Sequence, residues 1–484
     1  MLNLIARRYD QNAIYTWVSS LLVAVNPYCE LGLYTPEVLG RYQTVGGDRP
    51  PPHVFGVAAA AFRGLLSGSS QCALVTGESG AGKTETCRRL LQYLAHGGGS
   101  GGSGGSGGGM AHAEVTKLHE GLARSNCVLE AFGNAVTTMN DNSSRFGKFV
   151  LLRFVTGSLV SVSVRTYLLE KTRVPCHAPG ERNFHIFYSL LGGISSHEAR
   201  ELFGRDRAAP IDFRYAAEEG AAAAEGAGGA GGAGGAGGAA ASSHAAPAAL
   251  DEVSMALDAI GCGKHERWHV WRCLAAVLQL GDIVLTGGDS AQVSPGSEAA
   301  LAQASSLLGV PVDRLRDAFL TRCIHVAGEF ILTPATPEAA AASRDGLAKA
   351  LYARLFTHLV SRINSSLGRS ACGAGGKGGE RFFGILDIFG FEIFGRNSLE
   401  QLLINYTNEQ LQVGPCGLRR AWRPCVAGMR EPASLCAASA AAHRTSAHRT
   451  STRRTSAHRS CSAPTVRDGF CGTAAALCAT AAAH

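Results

Sequence analysis

Several features are missing, and each absence narrows the field. No apolar run in the chain approaches the ~20 residues needed to cross a bilayer, so no transmembrane segment is expected. The 15 cysteines form no C-x-x-C pair. That removes the common zinc frameworks and any disulfide scaffold, and leaves a reducing, cytoplasmic setting as the expectation. Met1-Leu2-Asn3-Leu4-Ile5-Ala6-Arg7-Arg8 is too short and too soon charged to be a secretory leader. A net excess of basic charge is also missing outside one region. The net charge is +7, but from Val413 onward ten Arg, no Lys and two acids, Glu431 and Asp468, give +8. Residues 1–412 therefore carry −1. A nucleic-acid role would rest on that tail alone, so no specific nucleic-acid partner is expected.

What is present is a chain of 484 residues, 46% hydrophobic and 17% charged, long enough for several domains' worth of buried core. Three stretches interrupt the globular pattern. Gly97 to Gly109 is a Gly/Ser run, and Gly226 to Gly238 is Gly/Ala only. Val413 to His484 is rich in Ala, Arg, Ser, His and Cys, with Ala442-His-Arg-Thr-Ser446 repeated at once as Ala447 to Ser451. Their composition predicts flexible or disordered segments. Between them, Cys72–Thr76 reads as a buried strand and Thr84–Ala95 as a helix. Phe149–Val155, the turn Thr156-Gly157-Ser158 and Leu159–Val164 read as a hairpin, and Arg381–Leu386 as a strand. Ser398 and Gln401 form a capping box ahead of Leu399, Leu402, Leu403 and Tyr406 on one helical face.

Three motifs carry chemistry. Gly77-Glu78-Ser79-Gly80-Ala81-Gly82-Lys83-Thr84, followed by Glu85, matches G-x-x-x-x-G-K-[ST] between a strand and a helix. Its glycines let backbone N–H groups close around phosphate oxygens at a helix N-terminus. Lys83 is placed to reach the β- and γ-phosphates and the Thr84 hydroxyl to ligate Mg²⁺. Asn140-Asp-Asn-Ser143-Ser144-Arg145-Phe-Gly-Lys148 reads as a polar loop. A hydroxyl there can complete a Mg²⁺ shell and the arginine can anchor a closing loop, although from this segment alone an exposed polar turn before a strand is the plainer reading. Asp387-Ile-Phe-Gly390-Phe-Glu392 follows an apolar strand. An Asp there can hold Mg²⁺ through water, and the Gly390 N–H can meet the γ-phosphate. D-x-x-G also occurs in GTPases, but N-K-x-D, which reads guanine, is absent.

In this order the three motifs resemble the P-loop, switch I and switch II of myosins. Kinesins share the Ser-Ser-Arg and D-x-x-G logic but lack the Phe146-Gly147-Lys148 continuation and the Gly390-Phe391-Glu392 ending. Ile14–Trp17, Asn26–Tyr34, Leu129–Asn134, Tyr167–Lys171, Glu181–Tyr188, Arg344–Tyr352 and Ile404–Glu409 are similar to myosin as well, so the resemblance covers about residues 1–412. It implies an α/β P-loop NTPase-type motor core: a twisted central sheet of mixed parallel and antiparallel strands, flanked by helices, with a helical upper 50 kDa-like subdomain. It implies an actin-activated ATPase using ATP and Mg²⁺. Asn26, Pro27 and Tyr34 would form the purine pocket. Asn140, Ser143 and Ser144 would contact phosphate, Mg²⁺ and the attacking water, with Ser144, Thr84 and (through water) Asp387 around the metal. Arg145 would bridge to Glu392 when the site closes.

The implied partner is filamentous actin, met near Glu329, sixteen residues before Asp345. Light chains would join only a full-length form, and the implied location is the actin cytoskeleton of the cytoplasm. The helix after Asn397 resembles the start of the relay helix. By the same resemblance Met1 falls inside the motor, and the lower actin-binding subdomain and lever are not in this sequence. The tail from Val413 resembles a misread frame or an intron, with a basic disordered tail as the alternative. Two readings result: an actin-based motor, or a non-motile nucleotide-binding fragment.

Overall fold

The computed structural model describes residues 2–19, 21–44, 50–77, 80–97, 112–155, 158–217, 249–326, 329–367, 380–388, 402–403 and 405–407. The chain divides into two units, Met1–Gly390 and Phe391–His484. In the second, the described residues are helical, and Thr407 Oγ1 donates to the Leu403 carbonyl at 2.8 Å. The expected helix through Leu402, Leu403 and Tyr406 is therefore present there, while its capping pair, Ser398 and Gln401, lies outside the described residues. So do the Gly/Ser run beyond Gly97, the Gly226–Gly238 run and the tail from Val413.

The first unit opens with α1 (Leu2–Asp10), the hairpin β1 (Tyr15–Val18) and β2 (Leu21–Ala24), α2 (Pro36–Thr44) and α3 (Val54–Leu66). β3 (Gln71–Val75) and α4 (Lys83–Gly97) follow, then α5 (His112–Gly133) and the hairpin β4 (Asn134–Thr137) and β5 (Asn140–Ser144). Next come β6 (Gly147–Val155) and β7 (Ser158–Tyr167). A helical region contains α6 (His185–Gly193), α7 (Ser196–Phe203), α8 (Leu250–Ala259) and α9 (Lys264–Gly281). It continues through the small hairpin β8 (Leu285–Gly287) and β9 (Ala291–Val293), α10 (Glu298–Leu308) and α11 (Val312–Leu320). The hairpin β10 (Thr321–Val326) and β11 (Glu329–Pro334), the long α12 (Pro337–Leu367) and β12 (Arg381–Asp387) complete it.

Four strands form the sheet that positions the site, in the order β3-β12-β6-β7. β12 runs parallel to β3 and antiparallel to β6, so the sheet is mixed, as the resemblance implied. β12 is central and reads as a nearly continuous apolar run, with Phe383 and Ile385 fully buried; a strand covered on both faces needs no alternation. The β6–β7 hairpin forms as expected, in the register Val150↔Val164 and Val155↔Ser158. Helices α3 and α4 pack on β3 and β12, and α12 packs on β7.

β7 is an edge of this sheet, and an edge strand leaves backbone groups without ladder partners. Asn364 of α12 meets that need. Its Oδ1 accepts from the Val164 N–H at 2.7 Å, and its Nδ2 donates to the Val164 carbonyl at 2.8 Å. One side-chain amide thus stands in for a neighbouring strand and fastens the helical region to the sheet.

Candidate nucleotide and metal site

Strand register brings the chemistry to one end of the sheet. Asp387, the last residue of β12, lies beside Val75 on one flank and Lys148 on the other. Val75 is two residues before Gly77, so the phosphate-loop motif starts where Asp387 ends. Within the loop, Gly80 (φ +79°) and Gly82 (φ +90°) occupy the left-handed region, where a Cβ is strained and glycine is favoured. α4 then starts at Lys83. The Lys83 ammonium donates to the Gly77 carbonyl at 2.9 Å, across the mouth of its own loop. Glu78 and Ser79 lie outside the described residues, and Ala81 is exposed.

The segment Asn140–Ser144 departs from the expected loop: it is strand β5, paired antiparallel with β4 in the register Asn134↔Ser144 and Ala135↔Ser143. Asn and Ser are poor strand formers by propensity, and the ladder with β4 overrides that preference. Nor is the motif exposed throughout: Asn142 is at the surface, but Ser143 is 2% exposed and the following Arg145 4%. Its first residue approaches the phosphate loop, the Asn140 amide lying near Gly80. Asn26 comes to Gly80 from the other direction, with Nδ2 donating to the Gly80 carbonyl at 2.7 Å.

Thr84, Ser144 and Asp387, more than 300 residues apart at the extremes, line one cleft together with Lys148, Glu130 and Asn134. The Thr84 hydroxyl is 3.4 Å from Asp387 Oδ2 and donates to it. Burial pushes the Asp387 carboxyl up, against the opposing pull of Lys148 and Lys83. Asn134 Oδ1, buried beside them, has no hydrogen-bond partner among the described residues. Two hydroxyls and one carboxylate are hard oxygen donors too few to enclose a cation. Such a set suits Mg²⁺, which keeps waters and takes further oxygens from a phosphate substrate.

The purine-side residues are held differently. Pro27 is half-buried next to Asn26, and Asn26 Oδ1 accepts from the Tyr28 N–H at 3.0 Å. The Tyr34 hydroxyl is 2.7 Å from that of Tyr15, and the Arg89 guanidinium sits 4.0 Å over the Tyr34 ring. Glu85 pairs along α4 with Arg88 at 3.2 Å and Arg89 at 2.6 Å. Its route to this pocket is thus through Arg89.

His53, absent from the sequence reading, supports Tyr34 from behind. Its Nδ1 accepts from the Phe55 N–H at 3.0 Å, capping α3, while Nε2 lies 3.1 Å from the Leu33 carbonyl and donates to it. Burial pushes its pKa down to about 4. The unfolded chain therefore takes up this proton from about 6.5 downward and the folded protein only near 4. The stability this supplies is complete above the unfolded value and is lost as pH falls through that window. At roughly 1.4 kcal/mol per unit the difference is about 3 to 3.5 kcal/mol. His185, also lowered to about 4 by burial and by Arg182, works in the same direction, whereas Asp282, raised to about 6 by burial, works in the other. The stability difference between the wild type and His53→Asn, from urea titrations, should shrink by about 2 kcal/mol between pH 7 and 4.5. A pH-independent difference would show that this ring titrates normally.

Arg145 makes the contact that sequence reasoning left out. Its Nε donates to Glu170 Oε2 at 2.7 Å, and its Nη1 donates to Ser143 Oγ at 3.2 Å. Glu170 falls within the Tyr167–Lys171 stretch that resembled myosin, but nothing local marked it as a site residue. Gly390 and Glu392 lie outside the described residues. Glu329 opens β11 with its backbone opposite Val326, in a strand rather than a loop.

Residues 1–414 match the family described as the myosin head, or motor domain. Among similar proteins, Myosin-1 of Sclerotinia sclerotiorum is 38% identical over 409 residues, covering 84% of this chain and 30% of that protein. The non-muscle Myosin-2 heavy chain of Acanthamoeba castellanii is 36% identical over 414 residues, 85% of this chain and 25% of its own length. Unconventional myosin-Ic of Rattus norvegicus is 38% identical over 408 residues, 84% of this chain and 36% of its own. The chain thus spans between a quarter and just over a third of each of these relatives. With the mixed sheet, the phosphate loop and a family match over most of its length, this chain belongs to the myosin motor-domain family.

Proposed function

We propose that this chain binds Mg·ATP and hydrolyses it in an actin-based motor. The observation that carries the reading is the cleft where Thr84, Ser144 and Asp387 meet beside the glycine-shaped phosphate loop. Asn26, Pro27 and Tyr34 hold the base. Gly77 to Glu85 wraps the phosphates, with Lys83 moving from the Gly77 carbonyl onto the β- and γ-oxygens. Bound Mg²⁺ would supply positive charge at the same oxygens. Asn140, Ser143 and the Gly390 N–H orient the γ-phosphate, and a water held near Ser143 and Glu392 attacks in line. Arg145 and Glu392 close the site as a pair, and loss of the γ-phosphate releases them. Actin is the activating partner through a surface that includes Glu329, and light chains bind the full-length form. The place of action is the actin cytoskeleton.

The test is nucleotide choice followed by actin response. Competition against a fluorescent ATP analogue should place GTP at least about 10-fold weaker than ATP. Single-turnover hydrolysis should accelerate with filamentous actin. Equal competition by GTP would sink the base assignment, and hydrolysis unresponsive to actin would sink the motor reading.

A further inference from the structure

We propose that Glu170 is a positioning residue for this hydrolysis: it fixes the Arg145 guanidinium so that Arg145 donates into the Ser143 hydroxyl oxygen. The inference rests on the ATPase reading given above. Its basis is a chain of four charges in which each member is held by the next. Arg145 Nε and Arg173 Nε share Glu170 Oε2, at 2.7 and 2.8 Å. Arg173 Nη2 continues to Glu181 Oε2 at 2.8 Å, and its Nη1 donates to the Arg182 carbonyl at 2.9 Å. Arg145, Arg173 and Glu181 are all buried.

The chain sums to zero charge, which is the condition for keeping guanidiniums out of water. Glu170 touches both arginines, Arg145 and Arg173. Burial works to raise its carboxyl, yet Arg173 and Arg145 outweigh that and hold it below the usual range, so it is ionised at neutral pH. The backbones are tied as well: the Glu170 N–H donates to the Arg145 carbonyl at 2.9 Å, and the Arg145 N–H donates to the Gly133 carbonyl at 2.8 Å. Arg145 therefore has little room to turn.

The consequence falls on Ser143. With Arg145 Nη1 donating into Oγ at 3.2 Å, the serine's own hydrogen must point away from the guanidinium. Ser143 then acts as a donor, the role required to hold a phosphate oxygen or the lone pair of an attacking water. Its neighbour Ser144 lines the cleft with Thr84 and Asp387. Without the Glu170 anchor, Arg145 loses the carboxylate that fixes the direction of its Nε edge, and the polarity of the Ser143 hydroxyl is no longer set through it.

Three variants of the full chain test this with three measurements: affinity for a fluorescent ATP analogue, single-turnover hydrolysis and the urea unfolding midpoint. Glu170→Gln should slow hydrolysis about 30-fold while affinity stays within about 3-fold. Glu170→Asp, which keeps the charge on a shorter arm, should recover a substantial part of that loss. Glu181→Gln leaves the Glu170–Arg145 bond in place. It should lower the unfolding midpoint but keep hydrolysis within about 3-fold of wild type. Wild-type hydrolysis by Glu170→Gln overturns the proposal, as does an equal loss in Glu181→Gln, which would mean that the network is only structural. If Glu170→Gln is not recovered folded, Glu170→Asp decides: a partial loss supports the assignment and a wild-type rate overturns it. A wild-type chain that neither binds nor hydrolyses the nucleotide would instead overturn the ATPase reading itself.

Discussion

Lys83→Ala is expected to lower single-turnover ATP hydrolysis by about 10²–10³-fold, the usual loss when one donor aimed at developing transition-state charge is removed. The ammonium is already at the site, bonded to the Gly77 carbonyl at 2.9 Å. Little reorganisation separates that position from the phosphates, because both lie over the same loop mouth. Alanine removes the charge without touching the glycines that shape the loop, so folding should be preserved. Lys83→Arg should not rescue: a planar guanidinium is bulkier than the ammonium and cannot sit as a point charge among converging N–H groups. Phosphate release from a single turnover, alongside the thermal melting curve, checks both statements. Hydrolysis by Lys83→Ala within a factor of about ten of wild type would show that the loop does not act on the γ-phosphate.

The second large effect is on stability. Tyr352→Ala is expected to cost about 3–5 kcal/mol. Tyr352 on α12 is 1% exposed, and its ring stacks on Phe184 at 4.9 Å and Phe187 at 5.4 Å. Its hydroxyl donates to the Phe132 carbonyl at 2.7 Å. Phe132 is in the last turn of α5, where helix carbonyls have no partner within the helix. Truncation therefore opens an aromatic-lined cavity and strands a buried acceptor, one residue before the turn into β4. Tyr352→Phe keeps the ring and loses only the hydrogen bond, for about 1–2 kcal/mol. Urea unfolding midpoints of the two variants separate the contributions. A cost below about 1 kcal/mol for Tyr352→Ala would mean that α12 is not packed as described. Because Phe132 leads through Gly133 into β4, the same variant should also loosen the ladder that carries Ser143 and Ser144.

Local signals were legible wherever neighbours in sequence are also neighbours in space. The glycine spacing from Gly77 to Thr84, the apolar run ending at Asp387 and the two apolar-rich segments on either side of Gly157 each encode an element within a dozen residues. Those elements formed with nearly the expected bounds: β3 at Gln71–Val75, α4 at Lys83–Gly97, β12 at Arg381–Asp387. Asn140–Ser144 was misleading for the same reason, because its polar residues favour a loop and only the partner strand β4 holds them extended.

The sequence by itself determined which groups are available for phosphate and metal chemistry, and in what order they occur along the chain, since that order is written in motifs a few residues long. Only the tertiary structure decided which of them meet. Placing β12 between β3 and β6 sets Asp387 against the phosphate loop and Lys148. The chain path, not any local pattern, sets Glu170 against Arg145 and Asn364 against Val164. These contacts join residues up to 303 positions apart. They depend on strand order and helix packing, which minimise exposed apolar surface and unpaired backbone across the whole unit, and no short window of sequence contains that constraint.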